Sequence, residues 1–213
     1  FDSKNKSLFV ANDRFGVKPA YYINDANRLL ITSEIKQVKE FNFGLTLNKE
    51  AISVFLNEQH INYNEDTFFN EVKRHKPSHF SIISLTKPID PVQSSYYQLS
   101  NTESKLNFDD SKVRFYELLV DSVNLIMRSD VPVGFASSGG LDSSAILYVA
   151  HELLKKTKNE SNINTFSAIF PGDSGDESYF IKLVEKDLNV KSFYVNPMET
   201  FTINDFEKHI YHQ

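Results

Sequence analysis

Through residues 1–97 the apolar positions come in short runs broken by polar turns. Ser7-Leu8-Phe9-Val10-Ala11-Asn12 and Pro19-Ala20-Tyr21-Tyr22-Ile23-Asn24 read as consecutive strands around a polar turn. Arg28-Leu29-Leu30-Ile31-Thr32-Ser33 follows an Asn-Asp-Ala-Asn turn, which predicts a hairpin. Ile52, Phe55 and Leu56 have helical spacing behind Asn48, whose side chain is suited to accept a first-turn N–H. His79–Leu85 is a further strand. Residues 86–108 open on Pro88 and Pro91 and continue as a polar Ser/Asn/Thr stretch, so they read as a connector. Tyr96 and Tyr97 are expected to pack against one of the two domains.

From Asp109 the period changes. Val113, Tyr116, Leu119, Val120, Val123, Ile126 and Met127 fall on one face of a helix. Strands are predicted at 131–136, 163–170 and 192–195, and helices at roughly 143–156, 176–188 and 203–211. Alternation of this kind predicts a parallel sheet, whose ligands bind beyond the C-terminal strand ends.

One such end carries Ser137-Ser138-Gly139-Gly140-Leu141-Asp142-Ser143-Ser144, between the strand at 131–136 and the helix behind it. Strand, Ser/Gly loop and helix start together suit an anion. Glycines let backbone N–H groups approach a phosphate, and the first helical turn adds unpaired donors and a positive dipole end. Hydroxyls of Ser138, Ser143 and Ser144 add further donors. No Gly-Lys-Ser/Thr is present, so this is not the Walker type. Asp142 stands where a Lys would be expected, which implies a cation such as Mg²⁺ between its carboxylate and the phosphates. Simple helix capping by Ser or Asp is the competing account of a Ser/Gly turn.

Composition narrows the picture modestly. A net charge of −5 gives no electrostatic case for nucleic acid as the main partner. No apolar run reaches membrane-spanning length, and the first residues do not read as a secretory signal. The absence of Cys excludes disulfides, thiolate metal sites and a cysteine nucleophile within these residues, and fits a cytoplasmic location. His209 and His212 have i, i+3 spacing but no third ligand candidate nearby, so a surface helix face is expected. Asp176 and Glu177 fit equally a helix N-terminal role or a Mg²⁺ or substrate role.

Ser138-Gly139-Gly140-Leu141-Asp142-Ser143 resembles the ATP pyrophosphatase loop of the glutamine-hydrolysing asparagine synthetases. Arg128-Ser129-Asp130-Val131-Pro132-Val133-Gly134 before it and Pro171-Gly172-Asp173-Ser174-Gly175-Asp176-Glu177 beyond the next strand are similar too. Asn12–Tyr22, Thr32-Ser33-Glu34-Ile35-Lys36 and Phe69–Arg74 resemble, in order, the late part of that family's glutaminase domain. The loop alone is shared with other ATP pyrophosphatases, including GMP and argininosuccinate synthetases. The paired motif sets are more specific.

The resemblance implies an α+β, partial N-terminal-nucleophile glutaminase sandwich over residues 1–97 and a linker at 98–108. An incomplete α/β sheet of the adenine-nucleotide α-hydrolase kind follows over 109–213. It implies asparagine formation from aspartate, ATP and glutamine-derived ammonia through aspartyl-AMP, with Mg²⁺ as cofactor and a homodimer as one expected assembly. Carried over by position, Ser138, Gly139, Gly140, Asp142 and Ser143 form the pyrophosphate loop, with Asp142 on the metal. Ala136 and Ala168 match positions near the adenine. Asp13 matches the carboxylate that pairs with the α-amino group of glutamine, although ordering of the turn accounts for it equally well.

Departures from the family are specific. Its glutaminase uses an N-terminal Cys, and this chain has none. Asn12 stands where Arg is usual, and Ser78 replaces a glycine before His79. The residues are therefore expected to be a central fragment, inactive alone. The competing expectations are an amidotransferase with another carboxylate acceptor, or a non-catalytic nucleotide-binding protein.

Overall fold

A computed structural model describes the chain except for residues 26–27, 87–90, 157–162, 201 and 213. The chain divides into two compact units, Phe1–Glu103 and Ser104–Gln213.

In the first unit, β1 (Ser7–Ala11) pairs antiparallel with β5 (His79–Ser84), which pairs with β6 (Gln93–Ser95). A second antiparallel sheet has the order β3 (Leu29–Thr32), β2 (Tyr21–Asn24), β4 (Val72–Arg74). Strand alternation decides what turns inward. In β5, Ser81 and Ile83 are buried while Ile82 and Ser84 are exposed. Val10 and Ile83 from one sheet and Tyr22 and Ile31 from the other line the same small space between the sheets. Beside the second sheet, Ile23, Val38 and Val72 form a core that Leu30, Phe43 and Phe69 complete. Helix α1 (Lys49–Glu58) starts as expected: the Asn48 side chain accepts from the Ala51 N–H at 3.1 Å.

Differences from the sequence expectations are local. The hairpin between β2 and β3 forms, but residues 26–27 of its turn lie outside the described residues. The 3₁₀ segment Ile35–Phe41 and strand β4 were not expected. Strand β4 has three residues, and Val38 of the 3₁₀ segment and Val72 of β4 are both buried, so tertiary contact rather than local pattern selects them. The stretch read as connector from residue 86 contains β6. Three polar residues there, Gln-Ser-Ser, give no strand signal, and pairing with β5 supplies it. Tyr96 and Tyr97 pack within this unit: the Tyr96 hydroxyl donates to the Asn12 carbonyl, and Arg14 lies over the Tyr97 ring.

In the second unit α2 (Phe108–Ile126) opens on Asn107, whose side chain accepts from the Asp110 N–H at 2.9 Å. A parallel sheet of β7 (Gly134–Ala136), β8 (Asn164–Ala168) and β9 (Lys191–Val195) follows, in that order. Helices α3 (Leu141–Lys156) and α4 (Ser178–Leu188) connect the strands, and α5 (Pro197–Thr200) and α6 (Phe206–His212) close the unit. Val123 of α2 packs with Val149 and Ala150 of α3, and Leu147 packs with Ile163 and Leu188.

Strands β7 and β8 are shorter than the apolar runs that predicted them. Residues 131–133 are irregular, and only 134–136 find a partner in β8. The apolar face of α2 is only partly used. Val123 is buried and Leu119, Val120 and Met127 half-buried, while Val113, Tyr116 and Ile126 are exposed. The helix expected at 203–211 begins as a 3₁₀ turn, Ile203–Asp205, and continues as α6, where His209 and His212 are exposed.

Candidate functional site

The Ser/Gly loop leaves the C-terminal end of β7 and runs into the first turn of α3, where such a device binds an anion. Its entry is fixed by the buried Ser137, whose N–H donates to the Phe166 carbonyl at 3.0 Å and continues the ladder with β8. Gly139 then adopts φ +75°, a left-handed conformation that side chains resist. A Cβ there would lie 3.0 Å from Phe180 Cβ and 3.1 Å from the Ile181 nitrogen. Both the turn and the approach of α4 therefore require glycine.

Hydroxyls close the loop on itself. Ser138 Oγ and Ser143 Oγ are 3.0 Å apart. The Gly140 N–H donates to Ser138 Oγ at 3.3 Å, and Ser143 Oγ donates to the Gly140 carbonyl at 3.2 Å. Helix α3 begins at once, with the Ser144 N–H donating to the Gly140 carbonyl at 3.1 Å. Asp142 is the second residue of that helix, and its side chain is exposed. Together these groups offer hydroxyls, first-turn N–H groups and one carboxylate to solvent.

Ala136 and Ala168 end β7 and β8 on one face of the sheet, because Ala136 lies opposite Phe166 and Ala168 is two residues further on. Both are exposed, so the structure brings them together beside the loop. On the same face Phe166 and Phe193 stack with centroids 5.2 Å apart.

Asp176 closes the neighbouring loop. Its carboxylate accepts from the Phe170 N–H at 3.0 Å and from the Ser178 hydroxyl at 2.7 Å. Those hydrogen bonds hold its pKa below the ordinary carboxylate value. Glu177 occupies the N-cap position of α4 without a side-chain cap bond.

Asp13 lies in the other unit, in the turn after β1. Its carboxylate accepts from the backbone N–H groups of Phe15, Val17 and Lys18 at 3.0, 3.1 and 3.0 Å. The Lys18 and Val17 bonds contribute most to holding its pKa below the usual range. Asp13 thus organises the turn while remaining ionised and exposed. Asn12 is buried, and its side chain donates to the His75 carbonyl at 2.9 Å. Ser78 has φ +61°, which explains why glycine suits that position. Here the Ser78 hydroxyl donates to the Arg14 carbonyl at 2.7 Å and offsets part of the strain.

Sequence reasoning missed two buried polar groups. His75 is 2% exposed, with Nε2 3.0 Å from Ser81 Oγ, and burial pushes its pKa down. Glu185 lies beneath the parallel sheet. A His between Arg and Lys and a Glu within a charged helix carry no burial signal in sequence. Among the described residues no helix is long and apolar enough to cross a membrane, and no cluster of three or more His, Cys, Asp or Glu could hold a metal.

The architecture defines a class: an N-terminal-nucleophile-glutaminase-like antiparallel unit followed by an ATP-pyrophosphatase-like parallel one. Residues 1–97 match the glutamine amidotransferase domain model, and residues 114–213 match the asparagine synthase model. At the level of family, the chain matches the glutamine-hydrolysing asparagine synthetases over part of their length. It is 34% identical over 200 residues to a Methanocaldococcus jannaschii protein provisionally named glutamine-hydrolysing asparagine synthetase 2, covering 86% of this chain and 35% of that one. The glutamine-hydrolysing asparagine synthetase 2 of Bacillus subtilis is 29% identical over 92% of this chain and 27% of its own. Amidase chyE of Penicillium rubens is 29% identical over 100% of this chain and 33% of its own. The chain thus spans about a third of the length of these relatives.

Proposed function

We propose that the chain is part of a glutamine-dependent asparagine synthetase acting in the cytoplasm. In this reading residues 1–97 belong to the glutaminase, 98–108 are a linker and 109–213 begin the synthetase. Glutamine supplies ammonia. ATP converts the side-chain carboxylate of aspartate to aspartyl-AMP with release of pyrophosphate, and ammonia then displaces AMP. A carboxylate is a poor electrophile, and adenylation gives it a leaving group.

The observation that carries the reading is the loop at the end of β7, with Gly139 left-handed and the Ser138 and Ser143 hydroxyls 3.0 Å apart ahead of α3. Charge accumulates on the departing pyrophosphate. In this reading the N–H groups of Gly139 and Gly140, the start of α3 and the Ser138 and Ser143 hydroxyls stabilise it. Ala136 and Ala168, small and exposed at the strand ends, leave room for adenine. Mg²⁺ fits the donor set, since it binds through one or two carboxylates plus substrate phosphates and Asp142 offers an exposed carboxylate in the loop. When bound, it neutralises phosphate charge. Asp13 is assigned to the glutamine α-amino group: three backbone donors keep it ionised, and a carboxylate has capacity for a further donor.

The similarity to an amidase supports a second reading, an amidotransferase of this architecture with a different carboxylate acceptor. One experiment tests both. ATP–pyrophosphate exchange is measured in the natural polypeptide carrying these residues, with aspartate and with other carboxylates. Aspartate-dependent exchange that Asp142→Ala abolishes is the expected result. Exchange with another acid alone favours the second reading, and unchanged exchange in Asp142→Ala removes Asp142 from the site.

A further inference from the structure

Helix α4 touches the phosphate loop at one end and a buried carboxylate further along. At its start, the Phe180 Cβ and the Ile181 nitrogen stand 3.0 and 3.1 Å from where a Gly139 Cβ would be. One helical turn later, on the same face as Ile181, comes Glu185. Glu185 is 6% exposed. Its Oε1 accepts from Thr165 Oγ1 at 3.0 Å, and Thr165, the second residue of β8, is fully buried. Thr165 Oγ1 also lies 3.0 Å from Ser192 Oγ in β9. The other oxygen, Oε2, accepts from the Tyr194 hydroxyl. A single side chain of α4 therefore grips both β8 and β9.

We propose that Glu185 is a positioning residue for the phosphate loop: by tying α4 to β8 and β9, it sets how closely Phe180 and Ile181 press on Gly139. The proposal rests on the nucleotide reading above only for its consequence in binding. Apolar contacts alone would retain α4, because Ile181 and Leu188 are buried. Such contacts are non-directional and leave axial rotation and sliding of a helix loosely fixed. Two hydroxyl-to-carboxyl bonds to neighbouring strands are directional, and their geometry fixes the rotation and height of the helix. A shift of about 1 Å in a binding constellation is costly on the scale of affinity and rate.

The test compares Glu185→Ala with Glu185→Gln in the full chain. Glutamine reproduces both contacts, its oxygen accepting from Thr165 and its NH₂ donating to the Tyr194 oxygen. The ligand-free readout is the Gly139 amide resonance in a ¹⁵N–¹H spectrum. The second readout is titration with Mg²⁺ and inorganic pyrophosphate. Glu185→Ala is expected to displace the Gly139 resonance and to weaken pyrophosphate binding by about tenfold, and Glu185→Gln to restore both. A Gly139 resonance unmoved in Glu185→Ala, or displaced equally in both variants, overturns the proposal. If Glu185→Ala does not fold, Thr165→Val, which removes one bond at nearly constant volume, takes its place with the same criterion. Failure of the natural polypeptide carrying these residues to take up pyrophosphate refutes the nucleotide reading, and the Gly139 resonance still decides the role of Glu185.

Discussion

Replacing Gly139 by Ala isolates the backbone requirement of the loop. Its φ of +75° disfavours any L side chain, at about 1–2 kcal/mol. The new Cβ would also meet Phe180 Cβ at 3.0 Å, the Ile181 nitrogen at 3.1 Å and Ile181 Cγ1 at 3.2 Å. Two of these are backbone or near-backbone atoms of a packed helix, so relief requires α4 to move. Overpacking of this kind adds about 1 kcal/mol or more. The sum is about 2–3 kcal/mol against the second unit. With a denaturation slope of about 1–3 kcal/mol per molar urea, the midpoint falls by roughly 1 M. Gly140→Ala is the internal control. Its Cβ meets only Ser138 Oγ, at 3.3 Å, and its φ is not in the left-handed range. That substitution is expected to change stability by less than about 1 kcal/mol. Urea unfolding followed by circular dichroism compares the two variants with the unsubstituted chain. A Gly139→Ala midpoint equal to that of Gly140→Ala would refute the reasoning.

At residue 78, Ser78→Ala keeps the left-handed strain and loses the bond to the Arg14 carbonyl, so it is expected to cost about 1 kcal/mol. Ser78→Gly loses the same bond but relieves the strain, and should lie close to the unsubstituted chain; the opposite order of thermal midpoints would contradict this account. His75 is held neutral by burial, its folded pKa lying below the ordinary value near about 6.5. Its contribution is therefore complete above that pH. It is lost as the pH falls toward the folded pKa, because the unfolded chain binds a proton that the folded one refuses. His75→Leu should flatten the decline in stability as the pH falls below about 6.5, and identical slopes in urea titrations of both chains would show that His75 is not the group responsible.

Local pattern by itself determined the elements whose information is carried by neighbours in sequence. Asn48 precedes a helix that its side chain caps. The spacing of strands and helices after Asp109 fixed a parallel sheet with the Ser/Gly loop at a strand end. Glycine at 139 followed from the chemistry of such a loop, because only a residue without Cβ enters a left-handed turn cheaply. Strands β4 and β6 were illegible, since three residues each hold too little pattern, and β4 pairs with β2 far away in the chain. The burial of Glu185 and His75 belonged to tertiary structure alone. Charged and polar side chains are read as solvated unless partners in space satisfy them, and Thr165, Tyr194 and Ser81 come from other strands. Tertiary structure also decided that α4 rests on Gly139. That approach depends on the distance between two segments, and hydrophobic periodicity carries no information about it.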